Sequence, residues 1–190
     1  VFWKNENMNY SDEQLVLEYL RGDKKSFELL LKRYLNPIYN FTRQYVKDKQ
    51  EAEDVTQDVF VKVWRKIEKF DRNKKFKTWI FSIAKNTCLD WLKKKRPIAF
   101  SMFDSREGGN TLAETLIDPS PLLDELAERA NMSKRLAEAV KKLPLYYRLV
   151  LNLRYGYSFT FREIAEILKE PLDTVKTRYR RGMEILKKSF

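Results

Sequence analysis

Between Phe70 and Arg96 the chain reads FDRNKKFKTWIFSIAKNTCLDWLKKKR. That is nine basic residues against two acids, Asp71 and Asp90, with Phe76, Trp79, Phe81 and Trp91 threaded through the charge. Cations neutralise phosphates, and flat apolar rings stack on unpaired bases. The mixture therefore suits single-stranded nucleic acid, with Arg72, Lys74, Lys75, Lys85 and Lys93 among the cations. Trp79, Ile80, Ile83, Ala84 and Trp91 also lie at helical spacing, which equally fits a core stripe with a solvated basic face. These residues alone leave both explanations standing.

Two neighbouring stretches carry chemistry of their own. Upstream, Asp54, Gln57, Asp58 and Arg65 share one face of a helix, and Phe60 and Trp64 stand one turn apart on its flank. An acidic patch edged by large aromatics is a surface that a protein partner can grip. A solvated face beside a wide core stripe fits it as well. Downstream, the chain ends in TFREIAEILKEPLDTVKTRYRRGMEILKK. Thr160 and Glu163 form a capping box, Ile164, Ala165, Ile167 and Leu168 make a short apolar face, and Pro171 breaks the helix. Asp173 is the expected N-cap of a final helix. Val175, Tyr179, Gly182, Met183 and Leu186 should face inward on it, with Gly182 admitting a close backbone. Thr177, Arg180, Arg181 and Glu184 should face outward, flanked by Lys176 and Arg178. A short helix, a tight turn and a cationic second helix read as a helix-turn-helix that binds duplex DNA, the alternative being a generic basic helical hairpin. Arginine can read guanine edges, while Lys and Thr hold phosphates.

Composition narrows the remaining functions. The 190 residues carry a net charge of +11, which favours a polyanionic partner. The charge falls into blocks of +8 over residues 1–96, −5 over 97–132 and +8 over 133–190. Histidine is absent and Cys88 is the single cysteine, a small core residue by its neighbours. His-based acid–base catalysis and His-ligated metals are excluded, and neither a catalytic residue nor a metal or cofactor is expected. No apolar run reaches membrane-spanning length and no signal-peptide pattern is visible, so no membrane insertion and a cytoplasmic location are expected.

The elements that must position these groups are helical, giving an all-α chain of two small domains joined by a linker. Ser11 and Gln14 form a capping box for a first helix that Gly22 ends. A second helix spans about Lys24–Val46, buries Phe27, Leu30, Leu31, Tyr34, Ile38, Phe41 and Tyr45, and should bend or break at Pro37. Asp48 and Glu51 form a further box, opening a helix to about Lys69 with Ala52, Val55, Val59, Val63 and Ile67 inward. The polar Phe70–Lys75 loop and a fourth helix complete a domain over residues 1–96. Residues 97–132, with Gly108, Gly109, Pro119 and Pro121, make an acidic linker with a helical piece at 122–132. In the domain over 133–190, Leu136, Val140 and Leu143 precede Pro144, and Tyr147, Val150, Leu151 and Leu153 follow on a helix stopped at Gly156.

Four stretches together resemble the extracytoplasmic-function (ECF) sigma factors, the small bacterial transcription initiation subunits. They are GDKKSFELLLKRY, AEDVTQDVFVKVWRKI, FKTWIFSIAKNTCLDWLKKKR and the run from LPLYYRLVLNLRYGYSF through TVKTRYRRGMEIL. The resemblance implies an N-terminal sigma domain 2 and a C-terminal helix-turn-helix sigma domain 4. It implies that Asp54, Gln57 and Asp58, with Phe60 and Trp64 beside them, grip the clamp coiled coil of core RNA polymerase. It implies that the Phe70, Arg72, Asn73, Lys74, Lys75 and Phe76 loop, with Asn86, holds a base flipped from the −10 element, and Lys85 and Lys93 add phosphate contacts. Lys176, Thr177, Arg178, Arg180 and Arg181 would read the −35 element. The implied partners are core polymerase (clamp and flap), promoter DNA both duplex and single-stranded, and an anti-sigma factor, with the linker near the RNA exit path. Three positions depart from the family pattern: the loop carries Arg72-Asn73-Lys74-Lys75 instead of Gly and small residues, Lys169 stands where Gly often ends a helix, and Arg180 replaces other types. The alternative is a helix-turn-helix repressor or activator that binds duplex DNA without polymerase.

Overall fold

The computed structural model describes residues 10–95 and 135–188, and every described element is helical. The linker at 97–132, its helical piece and Arg96 lie outside the described residues. The described chain divides into two compact units, an N-terminal and a C-terminal one.

In the N-terminal unit, α1 (Asp12–Leu20), α2 (Lys24–Thr42), α3 (Lys49–Lys66) and α4 (Phe76–Lys95) pack around α2, which touches the other three. The Ser11–Gln14 box is complete, and Gly22, at φ 107°, turns the chain after α1. Asp23 N–H donates to the Glu18 carbonyl and Gly22 N–H to that of Tyr19, which closes the helix end. Pro37 does not interrupt α2, a correction to the expected break. The ring removes one backbone bond, but Tyr34, Ile38 and Phe41 are buried on both sides of it and hold the helix through that point. The helix then stops at Thr42, short of Val46, and turns at 43–45 follow.

Asp48 caps α3 through the Glu51 N–H at 2.9 Å. The expected reciprocal half of that box is replaced by an ion pair from the Glu51 carboxylate to Lys95 on α4, at 3.0 Å. Lys62 and Asp90 make a second α3–α4 pair at 3.3 Å. Such exposed pairs are each worth under about 1 kcal/mol, and what sets the α3–α4 packing is the Ala52, Val55, Val59, Val63 and Ile67 stripe, every member buried. Phe41 and Phe81, with ring centroids 5.2 Å apart, join α2 to α4.

The C-terminal unit contains helical residues 135–142, α5 (Leu145–Leu151), α6 (Phe161–Leu168) and α7 (Leu172–Lys187). After α5 comes one π-helical turn, Asn152–Gly156, closed by Tyr157 N–H to the Asn152 carbonyl at 3.2 Å. Leu143, Tyr147, Leu151 and Leu186 form a buried cluster, with Val140, Tyr179 and Met183 against it. Gly182 lies in the seam between α7 and α5, where an added Cβ would sit 3.3 Å from both Leu151 Cδ1 and Tyr147 Cβ. The Thr160–Glu163 box is complete. Asp173 is not the N-cap of α7. Pro171 occupies that position without a side-chain bond, and Asp173 stands exposed in the first turn, 4.0 Å from Lys176.

Lys169 ends α6 at φ 53°, in the left-handed region that costs a side-chain-bearing residue about 1 kcal/mol. Glu170 N–H donates to the Ala165 carbonyl across it. Lys169→Gly should therefore raise the stability of the C-terminal unit by about that amount. The check is the urea midpoint of the full chain followed by a probe in that unit, where a lowered midpoint would contradict the strain.

Candidate nucleic-acid and protein interfaces

The N-terminal unit presents the Arg72–Lys75 segment as a turn built on a buried aromatic base. Phe70 and Phe76 flank it, 6% and 0% exposed. Their rings lie 5.7 Å apart, each meets Trp79 at 5.1 and 5.6 Å, and Phe76 also meets Tyr34 at 5.5 Å. Aromatic pairs at these separations add to area burial. Between them Asp71 closes the turn, its carboxylate accepting from Asn73 N–H at 3.0 Å and its carbonyl from Lys74 N–H at 3.0 Å. Arg72, Asn73, Lys74 and Lys75 all point outward. Phe70 and Phe76 thus differ from the other sequence-expected contact residues: buried rings have no face to offer a base, and they anchor the turn instead.

On α4, Trp79, Asn86 and Lys93 follow one another at seven-residue intervals, two helical turns each, along one line. Trp79 and Asn86 are half-buried and Lys93 is exposed, whereas Ile80, Ile83, Ala84 and Cys88 are core. Lys85, half-buried, lies beside Asn86. The structure therefore divides the stretch: a core stripe on one side, and on the other a seam that begins beside the cationic turn. The core explanation of the sequence holds for Ile80, Ile83 and Ala84, while Trp79, Asn86 and Lys93 lie outside that stripe.

Two positioning groups escaped the sequence. Asp71 looked like one of two stray acids. Glu13, in the first turn of α1, accepts a hydrogen bond from Phe76 N–H at 3.0 Å, the start of α4. Its neighbour Asp12 is held by Arg33 and by the Tyr34 hydroxyl on α2. Burial and then this bond to Asp12 raise the Tyr34 pKa, so the phenol remains the donor. No local pattern announces a contact across this sequence distance.

On α3, Asp54, Gln57, Asp58 and Arg65 are exposed together, opposite the buried stripe. Trp64 is 55% exposed, Val61 43%, and Phe60 half-buried beside them. A tryptophan this open on a well-packed helix costs solvation unless a partner covers it.

In the C-terminal unit, Lys176, Arg180 and Arg181 are exposed on α7 and Thr177 is half-buried. Arg178 is placed differently from its expected role. Its guanidinium pairs with the Glu170 carboxylate at 2.6 Å and lies 5.3 Å from the Tyr146 ring, with three quarters of the side chain covered. It ties α7 to the turn before it and to α5. Tyr179 does similar work: its hydroxyl bonds that of Tyr155 at 2.6 Å, and its ring packs 5.0 Å from Phe161 on α6. The outward cations thus stand on a helix fixed from behind by Arg178, Tyr179 and the Gly182 seam. Among the described residues no group of acidic and sulfur side chains could hold a metal, and no described helix is long and apolar enough to cross a membrane.

The family model for Sigma-70 region 2 matches residues 30–98, and that for Sigma-70, region 4 matches residues 133–186. The chain is 33% identical to the ECF RNA polymerase sigma factor SigW of Bacillus subtilis, over 92% of this chain and 94% of that one. It is 30% identical to the RNA polymerase sigma-H factor of Pseudomonas aeruginosa, covering 94% and 93%. Among solved structures it resembles the sigma factor RpoE of Bartonella quintana, crystallised with the anti-sigma factor NepR. The TM-score there is 0.63 at 23% identity, covering 87% and 96%.

The geometry separates two arginines. Arg178→Ala should weaken duplex binding about equally for every DNA sequence, since it loosens the helix. Arg181→Ala should relax preference at one base pair or remove one phosphate contact. A binding selection over randomised duplexes with both variants checks this, and a base-specific change confined to Arg178→Ala would reverse the assignment.

Proposed function

As the chain belongs to the extracytoplasmic-function RNA polymerase sigma factors, and acts with RNA polymerase in transcription initiation at promoter DNA, we propose how its residues divide that work. The domain over residues 1–96 docks on core polymerase through Asp54, Gln57, Asp58, Phe60 and Trp64. Exposed carboxylates steer the encounter, and the open Trp64 supplies apolar area that becomes covered. The Arg72–Lys75 turn and Asn86 hold an unpaired base of the −10 element, while Lys85 and Lys93 neutralise phosphates. Phe70 and Phe76 keep the turn rigid. The domain over 133–190 sits on the −35 duplex through Lys176, Thr177, Arg180 and Arg181, and residues 97–132 link the two.

DNA opening on this scheme needs no chemical step by the sigma factor. Captured bases offset an unstacking cost of a few kcal/mol for each flipped base. Two modest contacts on one chain gain from effective concentration. The factor works in the cytoplasm, where polymerase and promoters are, and it is a binding subunit, not an enzyme. The solved RpoE structure is that of a complex with an anti-sigma factor, and we extend that mode of control to this chain: a protein that covers the α3 face and the α7 cations would silence it.

The observation that carries this division is the outward cationic turn fixed on a buried aromatic base. A repressor that reads only duplex DNA has no use for such a platform, nor for an exposed Trp64 beside Asp54 and Asp58. The test is run-off transcription by the purified protein with bacterial core polymerase on a promoter library. Specific initiation is expected, and its absence with several core enzymes would refute the scheme.

Two variants assign the parts. Asp54→Ala with Gln57→Ala should weaken core binding about tenfold or more and leave duplex binding intact; equal loss of both would mean misfolding. Asn86→Ala should slow promoter opening far more than core binding, and an unchanged permanganate footprint across the −10 region would remove Asn86 from the site.

A further inference from the structure

We infer that Glu13 is a positioning residue for promoter opening: from α1 it caps the N-terminus of α4 and thereby fixes the cationic turn that precedes it. The inference rests on the assignment of that turn to unpaired −10 DNA.

A helix start leaves backbone N–H groups without partners, and a short polar side chain at the N-cap ordinarily accepts one of them. At α4 that position is Lys75, whose carbonyl accepts the Trp79 N–H at 3.1 Å and so begins the helix. An ammonium side chain has no acceptor atom. The Lys75 side chain therefore cannot cap α4. Glu13 fills the gap from 63 residues away, its Oε1 3.0 Å from the Phe76 nitrogen, in a partly buried setting. A carboxylate there also meets the positive end of a 20-residue helix.

The carboxylate is itself held. Ser11 and Gln14 cap α1 from either side of it. Asp12, one residue before it, binds Arg33 and Tyr34 of α2, and the Tyr34 ring packs on Phe76. Glu13 thus closes a loop of contacts through α1, α2 and the first residue of α4. Phe76 is fixed twice, by ring and by backbone. With Phe70 and Asp71 on the other side, the four outward residues of the turn have both ends clamped. Loss of the Glu13 bond frees one end while the hydrophobic core that holds α3 and its acidic face remains.

The test uses the full chain with core polymerase on a promoter recovered from the run-off selection. Glu13→Ala should slow opening, read by permanganate, by about tenfold, the scale of one charge-assisted hydrogen bond, and leave core affinity and −35 duplex binding unchanged. Amide exchange at Phe76 should quicken in the same variant. Glu13→Gln, which keeps an acceptor oxygen, should recover most of the opening rate. Opening at the wild-type rate in Glu13→Ala would overturn the inference. So would a parallel fall of opening, core affinity and melting temperature, which would mark a purely structural residue. The combined variant Asn73→Ala with Lys74→Ala separates this from the underlying assignment. If it opens the promoter normally, the turn is not the capture site and the inference falls with it. If it is slow while Glu13→Ala is normal, only the role of Glu13 is lost.

Discussion

Phe76 is where three kinds of constraint meet. Its ring is fully buried among Tyr34, Phe70 and Trp79, its N–H is bonded to a carboxylate from another helix, and its backbone begins α4. Burial of one such ring is worth about 1.5–3 kcal/mol, and the aromatic contacts add to it. That energy holds more than a core together. It fixes the backbone from which four polar residues leave the surface. A fixed backbone of this kind lowers the entropic cost of any binding there. The N-terminal unit can be described as a scaffold of α1, α2 and α3 that holds the start of α4 still.

The C-terminal unit solves the same problem by other means. Its outward cations sit on one helix, and everything behind that helix is tied down: Gly182 lets α5 approach, Arg178 bridges to Glu170 and Tyr146, and Tyr179 bonds Tyr155. Arg178, which reads as a DNA contact in the sequence, is packed against its own domain, because an arginine on a helix flank can bend inward as easily as toward solvent.

Much of this was legible without coordinates. Stripes at helical spacing marked α2, α3, α4 and the helix-turn-helix, and three capping boxes marked helix starts at Ser11, Asp48 and Thr160, the first of them with Gly22 delimiting α1. Asp54, Gln57 and Asp58 were separable from the core because they lie opposite the Ala52-to-Ile67 stripe, whereas for Phe60 and Trp64 the sequence left a wider core stripe open and burial decides. What the sequence hid was non-local. Pro37 reads as a break, yet tertiary burial of Ile38 and Phe41 outweighs one lost bond. Glu51 reads as half of a capping box, yet Lys95 takes its carboxylate. Asp173 reads as a cap, yet Pro171 already occupies the position. Phe76 reads as a stacking partner because its neighbours are cations, and Phe70 joins it only through the family resemblance; packing reveals that both rings are used inside the unit.

Cys88 has a consequence for how this factor can be regulated. The chain holds one thiol, it is fully buried on the inward side of α4, and burial pushes its pKa up to about 12. Oxidants and disulfides react with exposed thiolates, and Cys88 is neither exposed nor ionised near neutral pH. The Cys88 thiol of the folded factor is therefore a poor target for peroxide and for thiol–disulfide exchange. A thiol-based response to oxidation would have to begin on another molecule and reach this factor as binding or release.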